Sequence, residues 1–154
     1  MADKKNPLGP TGEIVRANVS RLRGRTQYKE LSERLAALGR PIPALGLRRI
    51  EAGERRVDAD DLMALAVALG VPPNSLLLPH TDPSPEPAAT AVGPVNFPEL
   101  WSWASGKSPL PGHGEESPAE RLERLLLAWP AQPMDVTKRD SETLNGEAAR
   151  NGDD

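Results

Sequence analysis

The chain has 154 residues, 38% of them hydrophobic, 3% aromatic and 27% charged, and its 17 prolines and 13 glycines are many for a packed globule. Without cysteine, and with its two histidines (His80 and His113) set among proline, glycine and acidic residues, it offers no disulfide framework, no thiolate nucleophile and no histidine-built metal centre. No apolar run approaches the ~18 residues of a membrane span, and the first residues lack the apolar stretch of a secretory signal, so a soluble, cytoplasmic protein without a membrane partner is expected.

The net charge of −3 conceals an asymmetry. Residues 14–57 carry eleven arginines and lysines against four glutamates, residues 58–79 hold only Asp58, Asp60 and Asp61, and residues 80–154 carry six basic against thirteen acidic side chains. A basic block inside an acidic chain points to a nucleic-acid partner, which the average would argue against.

Residues 1–10 read as a flexible N-terminal arm. From Thr11 to Arg25, Val15, Val19 and Leu22 fall at i, i+4, i+7 and predict a first helix closed by Gly24. Thr26 is placed to cap a second helix with Tyr28, Leu31, Leu35 and Leu38 on one face, ended by Gly39. Pro41 and Pro43 push Arg40 and Ile42 away from helical geometry, so a third helix is expected over residues 43–52, starting at Pro43, burying Leu47 and Ile50 and stopping near Gly53. Asp58 caps a fourth helix, where Asp61 suits the positive end and Leu62, Leu65, Ala66 and Leu69 form the core stripe. Gly70 ends that helix, and Pro72-Pro73 opens a short fifth one with Leu76 and Leu77. Five short helices over residues 11–79 predict a compact all-α domain, small but large enough to fold alone.

Residues 80–154 hold ten of the prolines and read as a mostly disordered acidic tail with two short ordered islands. The first, residues 95–106, gathers Phe97, Trp101 and Trp103. The two tryptophans lie two residues apart, a spacing read as a strand or short turn, and the segment is expected to fold back as a flap on the domain, with a docking motif or dimer contact as the alternative. The second, residues 117–129, opens with Ser117, Pro118 and Glu120 as a capping box and carries Leu122, Leu125, Leu126 and Trp129 on one face. About 12 residues make a marginal helix alone, so this one needs its own domain, a second protomer or another protein to pack on.

Within residues 30–71, the stretches Glu-Leu-Ser-Glu-Arg-Leu, Arg-Arg-Ile-Glu-Ala-Gly-Glu-Arg-Arg and Asp-Leu-Met-Ala-Leu-Ala-Val-Ala-Leu-Gly-Val together resemble the lambda-repressor-like, Cro-type helix-turn-helix family, in the versions common among actinobacterial regulators. The resemblance spans about Gly12 to Pro79. It implies a five-helix DNA-binding domain whose second helix crosses the phosphate backbone and whose third lies in the major groove of double-stranded DNA. It places Ala44, Leu45, Gly46, Arg48 and Arg49 outward on the third helix. There Arg48 and Arg49 can bond guanine, while Ala44 and Leu45 can only meet a thymine methyl. Gln27, Tyr28, Lys29, Arg40, Arg55 and Arg56 are then expected at phosphates. The same resemblance implies an internal ion pair between Arg23 and Glu51.

No titratable constellation for catalysis and no phosphate-cradling glycine loop is present, so neither an enzyme nor a cofactor is expected. The function implied is a DNA-binding transcriptional regulator, a homodimer on a two-fold site. The alternative is a protein-interaction module on the same fold, since Pro43 to Leu47 lacks hydrogen-bonding side chains.

Overall fold

A computed structural model describes residues 7–81, 89–93, 95–112 and 117–128. These residues form helices α1 (Pro10–Arg23), α2 (Tyr28–Ala37), α3 (Ala44–Glu51), α4 (Ala59–Leu69), α5 (Asn74–Leu77), α6 (Phe97–Ala104) and α7 (Pro118–Ala128), with no strand among them. The chain divides into two units, Met1–His113 and Gly114–Asp154. Among the described residues no helix is long and apolar enough to cross a membrane.

Proline, glycine and one aspartate set the helix boundaries. Gly9 precedes α1 in extended geometry, and Pro10 occupies the first turn, where its missing N–H costs nothing. α2 begins one residue later than a Thr26 cap would place it. Gln27 is its N-cap with no side-chain bond, because the Thr26 carbonyl is held by the Arg23 guanidinium at 2.9 Å. At the far end of α2 the Gly39 and Arg40 N–H groups donate back to Ala36 and Leu35, both at 3.0 Å, which satisfies carbonyls the helix would otherwise leave open. Pro43 stands in extended geometry as the N-cap of α3, one step outside the helix it was expected to begin. Asp58 caps α4 as expected, its carboxylate accepting the Asp61 N–H at 2.7 Å.

α1 to α5 enclose one apolar core. Val19, Leu31, Leu35, Leu47, Leu65 and Leu76 are fully buried, joined by Val15, Ile42 and Ile50. Burial of each large side chain is worth about 1.5–3 kcal/mol, and that gain, more than helix propensity, holds such short helices in place. Ile42 shows that the break between α2 and α3 is itself part of the core, and Ser32 Oγ donates to its carbonyl at 2.8 Å. Leu38, expected on the buried face of α2, is instead 48% exposed, because the chain turns away at that residue. Asn18, at 4% exposure, is a buried polar group the apolar pattern does not reveal. Its amide donates to the carbonyls of Leu76 and Leu78 at 3.1 and 2.7 Å and so ties α1 to the end of α5.

The first unit runs past Pro79. Leu78, Ala89, Val92 and Leu100 form a second buried cluster, flanked by Leu77, Val95, Trp101 and Leu110. The aromatic segment is helical, which corrects the strand-like reading of its tryptophans. Asn96 caps it by accepting the Glu99 N–H at 2.9 Å, Leu100 points inward, and Trp101 and Trp103 fall on either side of it. The helix folds back onto the domain. Asn74 donates to the Ala104 carbonyl at 2.9 Å, and reciprocal bonds between Thr11 and Thr90, at 3.3 and 2.9 Å, fasten the preceding segment to the start of α1.

In the second unit, α7 opens on the expected capping box. The Glu120 N–H donates to Ser117 Oγ at 3.3 Å, and the Ser117 N–H returns to the Glu120 carboxylate at 2.9 Å. Leu122, Leu126 and Leu127 are exposed. The Leu125 side chain, Trp129 and the arm at residues 1–6 lie outside the described residues.

Candidate nucleic-acid interface

α3 is short and amphipathic, and its orientation is fixed from below. Leu47 and Ile50 enter the core, while Leu45, Arg48 and Arg49 are exposed and Ala44 is half-buried. The helix ends where Gly53 takes φ +71°, a left-handed value that favours glycine, with its N–H donating to Ile50 at 3.0 Å and the Glu54 N–H to Arg49 at 2.8 Å.

The last residue of α3, Glu51, anchors it to α1 and α2. Arg23 donates to both Glu51 oxygens, from Nε at 2.6 Å and Nη2 at 3.1 Å, and the Tyr28 hydroxyl donates to Oε2 at 2.8 Å. The Arg23 and Glu51 side chains are only 15% and 10% exposed, so this pair works in a low-dielectric setting. The Glu51 hydrogen bond raises the Arg23 pKa above its ordinary value. Burial pushes the Glu51 carboxyl up, but the hydrogen bonds from Arg23 and Tyr28 outweigh it and leave the carboxyl below its ordinary range. Donation to Glu51 likewise raises the Tyr28 hydroxyl. The ion pair is thus present, and Tyr28 joins it.

The Tyr28 ring has a second use. The Arg23 guanidinium lies 4.1 Å and the Arg48 guanidinium 5.2 Å from its centroid, both within cation–π range. Tyr28, expected at a phosphate, is therefore spent inside the chain, and its ring supports Arg48 on the exposed face of α3. The Arg49 guanidinium has no hydrogen-bond or ion-pair partner among the described residues.

Arg40 and Arg55, also expected at phosphates, converge on one buried carboxylate. Asp61 is 2% exposed and accepts Arg40 Nε and Arg55 Nη2, each at 2.8 Å. Arg40 also donates to Asp58 at 2.8 Å and lies 3.8 Å from Asp60. Its bond to Asp61 holds the Arg40 guanidinium above its ordinary pKa, and the Asp61 N–H followed by Arg40 hold Asp58 below its own. A phosphate would have to compete with Asp58 and Asp61 for Arg40 and with Asp61 for Arg55. Sequence reading treated Asp61 as a helix-end charge only; its missed signal is a second acid three residues after the cap, opposite two arginines.

Gly46, expected to face outward, is half-buried beneath this network. A Cβ there would stand 2.8 Å from Arg55 Nη1 and 3.2 Å from Ile42 Cγ2. Glycine inside a helix costs about 1 kcal/mol, and a side chain here would have to shift the Arg55 guanidinium that bonds Asp61.

Of the remaining expected residues, Gln27 and Lys29 are exposed at the start of α2. Lys29 is 84% exposed and only loosely paired, 3.9 Å from Glu33. Arg56, exposed beyond α3, donates to the Pro7 carbonyl. Among the described residues, Lys29, Arg48 and Arg49 are the exposed cations of α2 and α3 that no close ion pair engages. No protein-family model, curated protein or solved structure matches the chain.

Proposed function

We propose that the chain is a DNA-binding transcriptional regulator of the helix-turn-helix kind, with α3 in the major groove and the start of α2 against the phosphate backbone. The observation that carries this reading is the state of α3. Its outer face offers Arg48 and Arg49, while Glu51 locks its inner end to Arg23 and Tyr28. A reading helix must present its arginines at a fixed angle, and anchoring through buried, charge-assisted bonds supplies that without a partner. Arg48 and Arg49 contact base edges, Leu45 and Ala44 meet thymine methyls, and Gln27, Lys29 and Arg56 contact phosphates. A short helix and one pair of arginines read few bases, so two protomers on a two-fold site complete the operator. Such a protein works in the cytoplasm, on the nucleoid.

The second reading is a protein-interaction module on the same fold, acting as an antitoxin-like partner or a scaffold. Leu45, 59% exposed at the start of α3, favours it, as does the commitment of Arg40 and Arg55 to acidic side chains. Trp103, 39% exposed, and the leucines of α7 are further surfaces it would use, alongside Trp101, Leu125 and Trp129 of the same two segments. Selection from random duplex DNA at two salt concentrations separates the two. A regulator enriches a palindrome and loses affinity steeply as salt rises. An interaction module binds no duplex even at low salt.

A further inference from the structure

The two exposed arginines of α3 stand in different surroundings. The Arg49 guanidinium has no hydrogen-bond, ion-pair or ring partner among the described residues. The Arg48 guanidinium likewise has no hydrogen bond or ion pair there, but it lies 5.2 Å from the centre of the Tyr28 ring. That ring is itself held. Its hydroxyl donates to Glu51 Oε2 at 2.8 Å and accepts from Arg23 Nη2 at 3.2 Å, and the Arg23 guanidinium is 4.1 Å from its centre. Two guanidiniums beside one ring would repel each other. Here Arg23 is bonded to both Glu51 oxygens, at 2.6 and 3.1 Å, so one of the two charges is neutralised at its source. The negative face of the ring can then hold the second.

We propose, resting on the reading of the chain as a DNA-binding regulator, that Tyr28 is a positioning residue for base readout: its ring pre-orders Arg48 and so sets how sharply Arg48 discriminates guanine. An arginine ordered only on contact gives up part of its interaction energy to that ordering. One already held beside a ring presents its fork of donors to guanine O6 and N7 with less left to lose. The two contacts do not exclude each other, because the ring is met by the charge of the guanidinium and the base by its N–H groups. A cation–π contact at an exposed site is worth a factor of about two to five in an equilibrium, and that factor is the share of Arg48 discrimination that Tyr28 supplies. Arg49, without a ring, is the built-in control.

NMR of the free full chain tests the contact without DNA. The Arg48 δ-protons are expected upfield under the ring current, with the shift kept in Tyr28→Phe and lost in Tyr28→Leu. On single-base-pair variants of the selected duplex, Arg48→Ala identifies the base pair that Arg48 reads and Arg49→Ala the one that Arg49 reads. Tyr28→Leu is expected to lower discrimination about two- to fivefold at the first and to leave the second unchanged. Tyr28→Phe keeps both, and adding Tyr28→Leu to Arg48→Ala lowers discrimination no further. A general loosening of α3 would touch both base pairs, so equal losses at the two overturn the proposal, as does full discrimination by Tyr28→Leu. A native spectrum without the upfield shift overturns it too, and leaves the regulator reading standing. Failure of the native chain to bind any duplex overturns the regulator reading, and the proposal with it. Circular dichroism checks that Tyr28→Leu folds; if it does not, the native spectrum decides.

Discussion

Glu51 is the residue on which the placement of α3 turns, and replacing it has a calculable cost. Glu51→Ala removes the acceptor of three hydrogen bonds and strands the Arg23 guanidinium at 15% exposure. Removing one partner of a buried ion pair costs about 3–5 kcal/mol when the other has nowhere to turn. Arg23 keeps the carbonyls of Thr26 at 2.9 Å and Gly24 at 3.2 Å, so the expected loss is lower, about 2–4 kcal/mol. In a domain of this size that is a fall in Tm on the order of 10–20 °C. Glu51→Gln keeps the shape and one acceptor and loses about half as much. The double variant Arg23→Met, Glu51→Leu removes both charges and recovers part of that loss, because no charge is left buried without its partner, while the Tyr28 hydroxyl and the Thr26 carbonyl lose theirs. Urea unfolding followed by circular dichroism at the helix band measures all three. A loss under about 1 kcal/mol for the alanine variant, or a double variant no more stable than it, would mean that the buried pair does not hold α3 in place.

Other outcomes follow from the same structure. Glu51 and Asp58 sit below their ordinary pKa values, so their contribution is complete above the unfolded carboxylate range, about pH 4, and is lost as pH falls through the folded values. The stability gap between the native chain and Glu51→Gln is therefore expected to narrow below pH 4, which acid unfolding curves check. The Tyr28 hydroxyl is raised, so its contribution holds below about pH 10 and fades above it, and Tyr28→Phe should flatten that alkaline limb. Asn18→Leu leaves two buried carbonyls without their donor and is expected to cost about 2–4 kcal/mol by urea unfolding; a neutral result would mean that water replaces the amide. Leu100→Ala opens a cavity in the second cluster, at a cost of about 2–5 kcal/mol. Hydrogen exchange should then rise across residues 89–110 first, while α1 to α4 stay protected.

Helix placement was largely legible because proline, glycine and the Asp58 cap act locally, through one or two dihedrals and one hydrogen bond. What escaped acts across the chain. The Asn18 amide and the Asp61 carboxylate find their partners 58 and 21 residues away, and no period in the sequence encodes those distances. α6 was legible and was misread. Phe97, Leu100, Trp101 and Ala104 stand at i, i+3, i+4, i+7 behind an Asn96 cap, but attention to the two tryptophans alone hid the leucine that points inward. Within the candidate site, the Arg23–Glu51 pair followed from family resemblance. The diversion of Tyr28, Arg40 and Arg55 into internal bonds did not, because a count of basic residues cannot say which carboxylates lie within reach.

Base readout by α3 through Arg48 and Arg49 is tested by comparing the native chain, Arg48→Ala, Arg49→Ala and Lys29→Ala on the selected duplex and a scrambled one, at two salt concentrations. Each α3 variant is expected to lose about 1–3 kcal/mol on the selected duplex only, at one base pair, whereas Lys29→Ala weakens both duplexes alike and lowers the salt slope by about one. Identical behaviour of all three variants on every duplex would contradict base readout by α3, and no binding by the native chain at low salt would contradict DNA recognition altogether.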